Sequence, residues 1–72
     1  MKFRVYILRS KLTGKFYTGQ TNDLADRILR HNSGSESYTS SGVPWELVWS
    51  EMVESRSLAV ALERKIKKRG AN

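Results

Sequence analysis

The stretch FRVYILRSKLTGKFYTG, residues 3–19, holds the hairpin from which the rest of the chain is read. Phe3, Val5 and Ile7 alternate with Arg4, Tyr6 and Leu8. That is the two-residue period of a strand, carried by aromatic and β-branched side chains. Lys11-Leu12-Thr13-Gly14 is a turn, with Gly14 able to take a positive φ. Phe16-Tyr17-Thr18 resumes strand character, and two short strands joined so closely pair antiparallel. Directly opposed residues of such a pair share a face. A register with Leu8 opposite Tyr17 puts Tyr6 and Tyr17 on one face, whereas a one-residue slip points them apart. The tight turn favours the first register.

Outward from the hairpin, Asn22 reads as a helix N-cap and Asp23 as an acid in the first turn, where the helix dipole favours it. Leu24, Ala25, Ile28 and Leu29 recur at helical spacing, which predicts a short amphipathic helix over 23–32. Residues 33–42 are polar and glycine-containing; they read as a loop with at most one helical turn, and as the most mobile segment. After Pro44, residues 45–53 form a third strand. Ser55 or Ser57 caps a last helix whose apolar stripe is Leu58, Ala59, Leu62 and Ile66, and Gly70 ends it. The order β-β-α-loop-β-α predicts an α+β domain: a small three-stranded antiparallel sheet flanked by helices.

The chain has 72 residues, enough for one domain with a thin core. It has no cysteine and one histidine, His31, which excludes disulfides, thiolate metal sites and multi-histidine zinc clusters. No apolar run approaches the ~20 residues of a membrane helix, and no secretory signal opens the chain, so a cytoplasmic protein is expected. Thirteen Lys and Arg against seven Asp and Glu give a formal charge of +6. That balance suits a polyanionic partner, nucleic acid first and an acidic membrane surface second. Neither helix combines a wide apolar face with a uniformly basic one, which argues against the membrane.

Helical spacing places Arg27 and His31 as neighbours on the edge of the first helix's apolar face, with Asp26 and Arg30 on the solvent side. On the last helix Glu63 falls on the edge of the apolar stripe, one turn after Ala59. Each feature has an ordinary structural account. A helix-edge arginine is usually a surface residue, and a histidine near a helix end a favourable terminal cation. Glu63 with Lys67 is a common i,i+4 ion pair, and strand tyrosines are commonly core. Trp45 and Trp49 read as core or sheet edge.

Together these residues resemble the GIY-YIG nuclease family. Val5-Tyr6-Ile7 stands at the first motif, with Arg4 where the family has Gly, and Tyr17-Thr18-Gly19 stands at the second, with Thr for Ile. Arg27, His31-Asn32-Ser33-Gly34, Tyr38-Thr39, Pro44-Trp45 and Glu63-Arg64-Lys65-Ile66-Lys67-Lys68 continue the pattern of its small stand-alone bacterial members across nearly the whole chain. The family also places an Asn in a further helical segment. Here the sequence stops nine residues beyond Glu63, at Asn72, which does not match that position; the resemblance thus implies a single domain over 1–72 that is C-terminally shortened.

The resemblance implies divalent-metal-dependent hydrolysis of DNA phosphodiesters by an endonuclease or nickase, structure-directed or weakly sequence-specific. Tyr6 and Tyr17 then sit at the reacting phosphate, Arg27 binds it, His31 assists proton transfer or orientation, and Glu63 holds Mg²⁺ or Mn²⁺. Gly19 lets the backbone approach substrate, and Lys15, Lys67 and Lys68 meet phosphates. The general base stays open among Tyr6, Tyr17 and His31: a free phenol ionises only near pH 10, an imidazole near 6.5. Magnesium often uses one or two carboxylates and fills its shell with water and phosphate oxygens, so a lone Glu63 suffices. DNA, branched or nicked, is the implied partner, with a targeting protein supplying specificity and with repair and recombination both open as settings. The alternatives are a non-catalytic nucleic-acid-binding module of the same fold and a small RNA- or ribosome-associated protein.

Overall fold

A computed structural model describes residues 2–34 and 38–69. Strand β1 (Phe3–Ser10) and strand β2 (Phe16–Thr21) form the hairpin; helix α1 (Leu24–Ser33), a 3₁₀ turn (Ser40–Gly42), strand β3 (Trp45–Val53) and helix α2 (Arg56–Lys68) follow. The sheet order is β2-β1-β3, all antiparallel. This is the expected α+β architecture.

The hairpin turn is built by Ser10 and Gly14. Ser10 Oγ accepts from the Leu12 and Thr13 amides, and Gly14 takes φ 77°. Leu8 lies opposite Tyr17 and Tyr6 opposite Gly19, so the register is the one that puts both tyrosines on one face. Between β1 and β3 the pairing shifts from Ile7–Trp49 to Leu8–Leu47, leaving Val48 as the extra residue of a bulge.

As the central strand, β1 buries both of its faces. Phe3 and Val5 pack with Ala59, Val53, Leu62 and Ile66 beneath α2. Tyr6 and Leu8 pack on the other face with Trp45, Tyr17, Leu24, Ile28 and Val43, against α1 and the loop that follows it. Burying one such aliphatic or aromatic side chain stabilises by roughly 1.5–3 kcal/mol. In a core this small each of them matters.

Three local expectations shift. The N-cap of α1 is Asp23, not Asn22: Asp23 Oδ1 accepts from the Asp26 amide at 3.2 Å, while Thr21 Oγ1 takes the Asp23 amide at 3.0 Å. The buried face of α1 is rotated away from Leu29, which is 70 % exposed, and centres on His31, its one fully buried residue among those described. On α2, Leu58 is exposed while Ala59, Leu62 and Ile66 pack as expected. Ser55 caps this helix through the Leu58 amide. Of the polar 33–42 segment, Gly34 closes α1 in the left-handed region and the 3₁₀ turn supplies the single helical turn. The mobility expected there bears on residues 35–37, and the helix end expected at Gly70 on 70–72; both lie outside the described residues.

Candidate active site

Tyr6 and Tyr17 project from neighbouring strands with ring centres 6.4 Å apart. His31 reaches them from the last turns of α1, its ring 6.0 Å from Tyr6 and 4.9 Å from Tyr17. Tyr6 is fully buried and His31 is 2 % exposed, so their polar atoms must be satisfied internally. They are. The Tyr6 hydroxyl lies 3.1 Å from His31 Nε2, and His31 Nδ1 lies 2.9 Å from Thr39 Oγ1.

Arg27 fixes the direction of this chain. Its guanidinium donates to the Tyr6 oxygen. The phenol proton then has His31 Nε2 as its acceptor, and Nδ1–H donates to Thr39. The tautomer is assigned from this network. Burial pushes the Tyr6 phenol up to about 12, aided by the Tyr17 and Glu63 charges and opposed by Arg27. Tyr6 is therefore a neutral phenol across the physiological range, and both ring nitrogens of His31 are committed to Tyr6 and Thr39. Tyr17, only half-buried, is the member of the group that reaches solvent.

This gives a stability prediction. An unfolded phenol ionises near 10 and the folded Tyr6 near 12, so the native state holds the proton more tightly. The resulting stability is complete below pH 10 and is lost as pH rises from 10 towards 12. Two pH units correspond to about 3 kcal/mol. Denaturant titrations at pH 9 and pH 12 are expected to show wild type losing about that much more stability than Tyr6→Phe. Equal losses would show that Tyr6 ionises as freely in the fold as outside it.

Gly19 faces Tyr6 across the hairpin. A Cβ there would stand 2.6 Å from the Tyr6 hydroxyl and 2.7 Å from Cζ. The space above Gly19 is thus filled by the Tyr6 phenol, and the residue's first role is to seat that ring rather than to admit a substrate.

Glu63 comes from the opposite helix. Its side chain is 18 % exposed, close enough to Tyr6 for its charge to act on the phenol, and paired with Lys67 at 2.8 Å. Lys67 is therefore engaged with the carboxylate, while Lys68 lies exposed on the last turn of α2 and Lys15 is on the hairpin beyond Tyr17. Beside the group runs a polar groove of about 330 Å³, lined by Arg27, Arg30 and Arg56, by Asp23 and Asp26 (the latter paired with Arg30 at 2.9 Å), and by Gln20, whose side-chain oxygen is buried without a hydrogen-bond partner. No group of three or more His, Cys, Asp or Glu is gathered among the described residues. The oxygen donors beside the phenols are the Glu63 carboxylate and the phenols themselves, with Asp23 and Asp26 further along the groove. This is a hard-oxygen set that fits a magnesium-type ion sharing its shell with water and phosphate, and Glu63 is the residue that would hold it.

A family model, the GIY-YIG catalytic domain, matches residues 2–72. The chain belongs to the GIY-YIG family. It is 39% identical over 67 residues to a UPF0213 protein of Staphylococcus saprophyticus, covering 92% of this chain and 80% of that protein. It is 43% identical over 65 residues to a UPF0213 protein of Clostridium perfringens, covering 89% and 69% respectively. The solution NMR structure of the UPF0213 protein BH0048 from Bacillus halodurans superposes with a TM-score of 0.58 at 38% identity, covering 94% of this chain and 72% of that one. The GIY-YIG fold thus accounts for the three strands and two helices described above, and membership places the chain in a nuclease family. No described helix is long and apolar enough to cross a membrane.

Of the nine expected site residues, Tyr6, Tyr17, Arg27, His31 and Gly19 lie against one another in this GIY-YIG domain, Glu63 stands within electrostatic range of Tyr6 with Lys67 paired to it, and Lys15 and Lys68 lie further out. Thr39 was missed as a partner of His31, and Arg56 as a wall of the groove. Both act across loops, where no periodicity links them to the residues they serve.

Proposed function

We propose that this GIY-YIG chain hydrolyses DNA phosphodiesters as a divalent-metal-dependent endonuclease or nickase. One observation carries the reading: β1, β2, α1 and α2 each deliver polar groups to one place, Tyr6, Tyr17, Arg27 with His31, and Glu63. Simple phosphate binding needs only cations; it does not need a buried phenol–imidazole–hydroxyl chain beside a carboxylate.

In hydrolysis a water oxygen bonds to phosphorus as the bond to the leaving sugar oxygen breaks. Tyr17, the solvent-reaching phenol, orients the water. Arg27 meets the negative charge that builds on the phosphate oxygens. Tyr6 stays protonated and holds Arg27 in place; His31 and Thr39 in turn hold Tyr6. The His31 ring is thus a positioning group, and neither it nor Tyr6 is the base. A divalent cation at Glu63, Mg²⁺ or Mn²⁺, would act as a Lewis acid that neutralises phosphate charge and acidifies water. The attacking water's proton passes to solvent, and the leaving oxygen takes one up.

In this reading recognition is structure-directed or weakly specific, with a partner protein for targeting. The test is cleavage of labelled plasmid, flap and branched DNA at low salt, with Mg²⁺, Mn²⁺ or EDTA. Low salt matters because a +6 protein sheds DNA steeply as counterions accumulate. Metal-dependent nicking supports the reading. Salt-sensitive binding without any cutting would leave the domain as a nucleic-acid-binding module.

A further inference from the structure

Tyr17 has a second set of neighbours that the proposed chemistry does not use. Its ring lies 5.5 Å from Tyr38 and 6.4 Å from Trp45. Tyr38 and Trp45, the two rings next to Tyr17, border a groove of about 200 Å³ between the hairpin and the 3₁₀ turn, which Thr13, Lys15, Phe16, Ser41 and Gly42 also line. Tyr38 is 65 % exposed and Phe16 40 % exposed. Two aromatic rings left in water beside a candidate active centre contribute little to the core. Trp45, by contrast, is anchored: its indole N–H donates to the Thr39 carbonyl at 2.8 Å. Gly42 is pressed against it, since a Cβ there would stand 2.6 Å from the indole. The groove therefore has one rigid wall, two exposed aromatic rings and a lysine.

We propose that this groove is a stacking subsite for an unpaired nucleobase of the strand whose phosphate lies at Tyr17. The proposal takes the position of that phosphate from the nuclease reading above. A base has apolar faces for Tyr38 and Phe16, and the phosphate attached to it answers Lys15. Stacking on aromatic side chains tolerates any sequence because every base has a π-face. A base inside a duplex already has both faces covered by its neighbours. Occupancy of the groove therefore selects strands with an unpaired nucleotide beside the scissile phosphate, as at a flap, a frayed end or a single-stranded gap. An apolar protein segment could fill the same groove without the charge on Lys15 being used.

The experiment is equilibrium binding in EDTA, where nothing is cut, using a single-stranded oligonucleotide carrying 2-aminopurine and the fully paired duplex of the same sequence. Binding of the single strand is expected to quench the 2-aminopurine. Tyr38→Ala should weaken single-strand binding by roughly 5- to 150-fold and lower the ratio of single-strand to duplex affinity. Tyr38→Phe should keep both quenching and ratio, because the ring and not the hydroxyl stacks. Phe16→Ala should move the ratio in the same direction as Tyr38→Ala. An unquenched probe, or a Tyr38→Ala protein that loses both affinities equally or neither, overturns the proposal. The two readings fail separately. A chain that never cuts yet shows the Tyr38-dependent ratio keeps the subsite and loses the nuclease assignment; a chain that cuts without that ratio does the reverse.

Discussion

Glu63→Gln is expected to reduce DNA cleavage by roughly 10²–10³-fold or more while the fold and DNA binding survive. The side chains are nearly isosteric, and the change sits in the middle of α2, where both residues are good helix formers. What the fold loses is the ion pair with Lys67, an i,i+4 contact worth a few tenths of a kcal/mol. What the site loses is its carboxylate. An amide is a neutral, weaker ligand for a hard divalent ion, so the charge that would offset the phosphate is no longer held there. Binding should move the other way. The variant carries one negative charge fewer, and Lys67, released from its carboxylate, can meet a phosphate. Affinity for DNA in EDTA is therefore expected to equal or exceed that of wild type. Wild-type cleavage rates from Glu63→Gln would mean that the metal is held elsewhere or is not used.

The hairpin was legible in the sequence because two local rules agree there: a strand period on each side and a turn whose glycine takes positive φ. Once the turn is fixed, the register follows, and with it the shared face of Tyr6 and Tyr17. Arg27 and His31 were legible as a pair from helical spacing, but their depth was not. Hydropathy alone turns α1 towards Leu29. The structure turns it towards His31, because an imidazole with a hydroxyl on each nitrogen buries without an unsatisfied group, and Leu29 is left 70 % exposed. Thr39 supplies one of those hydroxyls from eight residues further along, beyond α1, and nothing local announces it. The cap at Asp23 was missed by one residue because Asn22 and Asp23 are both good caps, and Thr21, which binds the Asp23 backbone, decides between them. Glu63 was placed on the right edge of α2, but its approach to Tyr6 depends on how that helix lies against the sheet, which is a property of packing and not of spacing.

Gly19→Ala is expected to be the most damaging single-methyl change on this face. The reason is space and not backbone freedom. Positive φ among the described glycines is confined to Gly14 and Gly34, so alanine suits the backbone at 19. Its Cβ, however, would stand 2.6 Å from the Tyr6 hydroxyl, 2.7 Å from Cζ and 3.1 Å from Tyr17 Cε2. The Tyr6 ring cannot swing aside cheaply, because it is fully buried and its hydroxyl is held between Arg27 and His31. Overpacking of this kind costs about 1–3 kcal/mol, sometimes more. For a domain of this size each kcal/mol lowers Tm by about 4–8 °C, so a drop on the order of 10–20 °C is expected by thermal unfolding. Cleavage should fall with it, since both tyrosines must move. Two controls separate this account from a backbone effect. In a Tyr6→Phe background the hydroxyl contact is gone but the ring carbon remains, so Gly19→Ala should cost less than in wild type without becoming neutral. Gly34→Ala should behave in the opposite way: its φ is 80° with nothing within 4 Å of the new methyl, so it carries only the left-handed backbone penalty of about 1–2 kcal/mol, insensitive to Tyr6. If Gly19→Ala costs no more than Gly34→Ala and is neutral in the Tyr6→Phe background, the Tyr6 ring is not seated on Gly19 and the order of the site must be built another way.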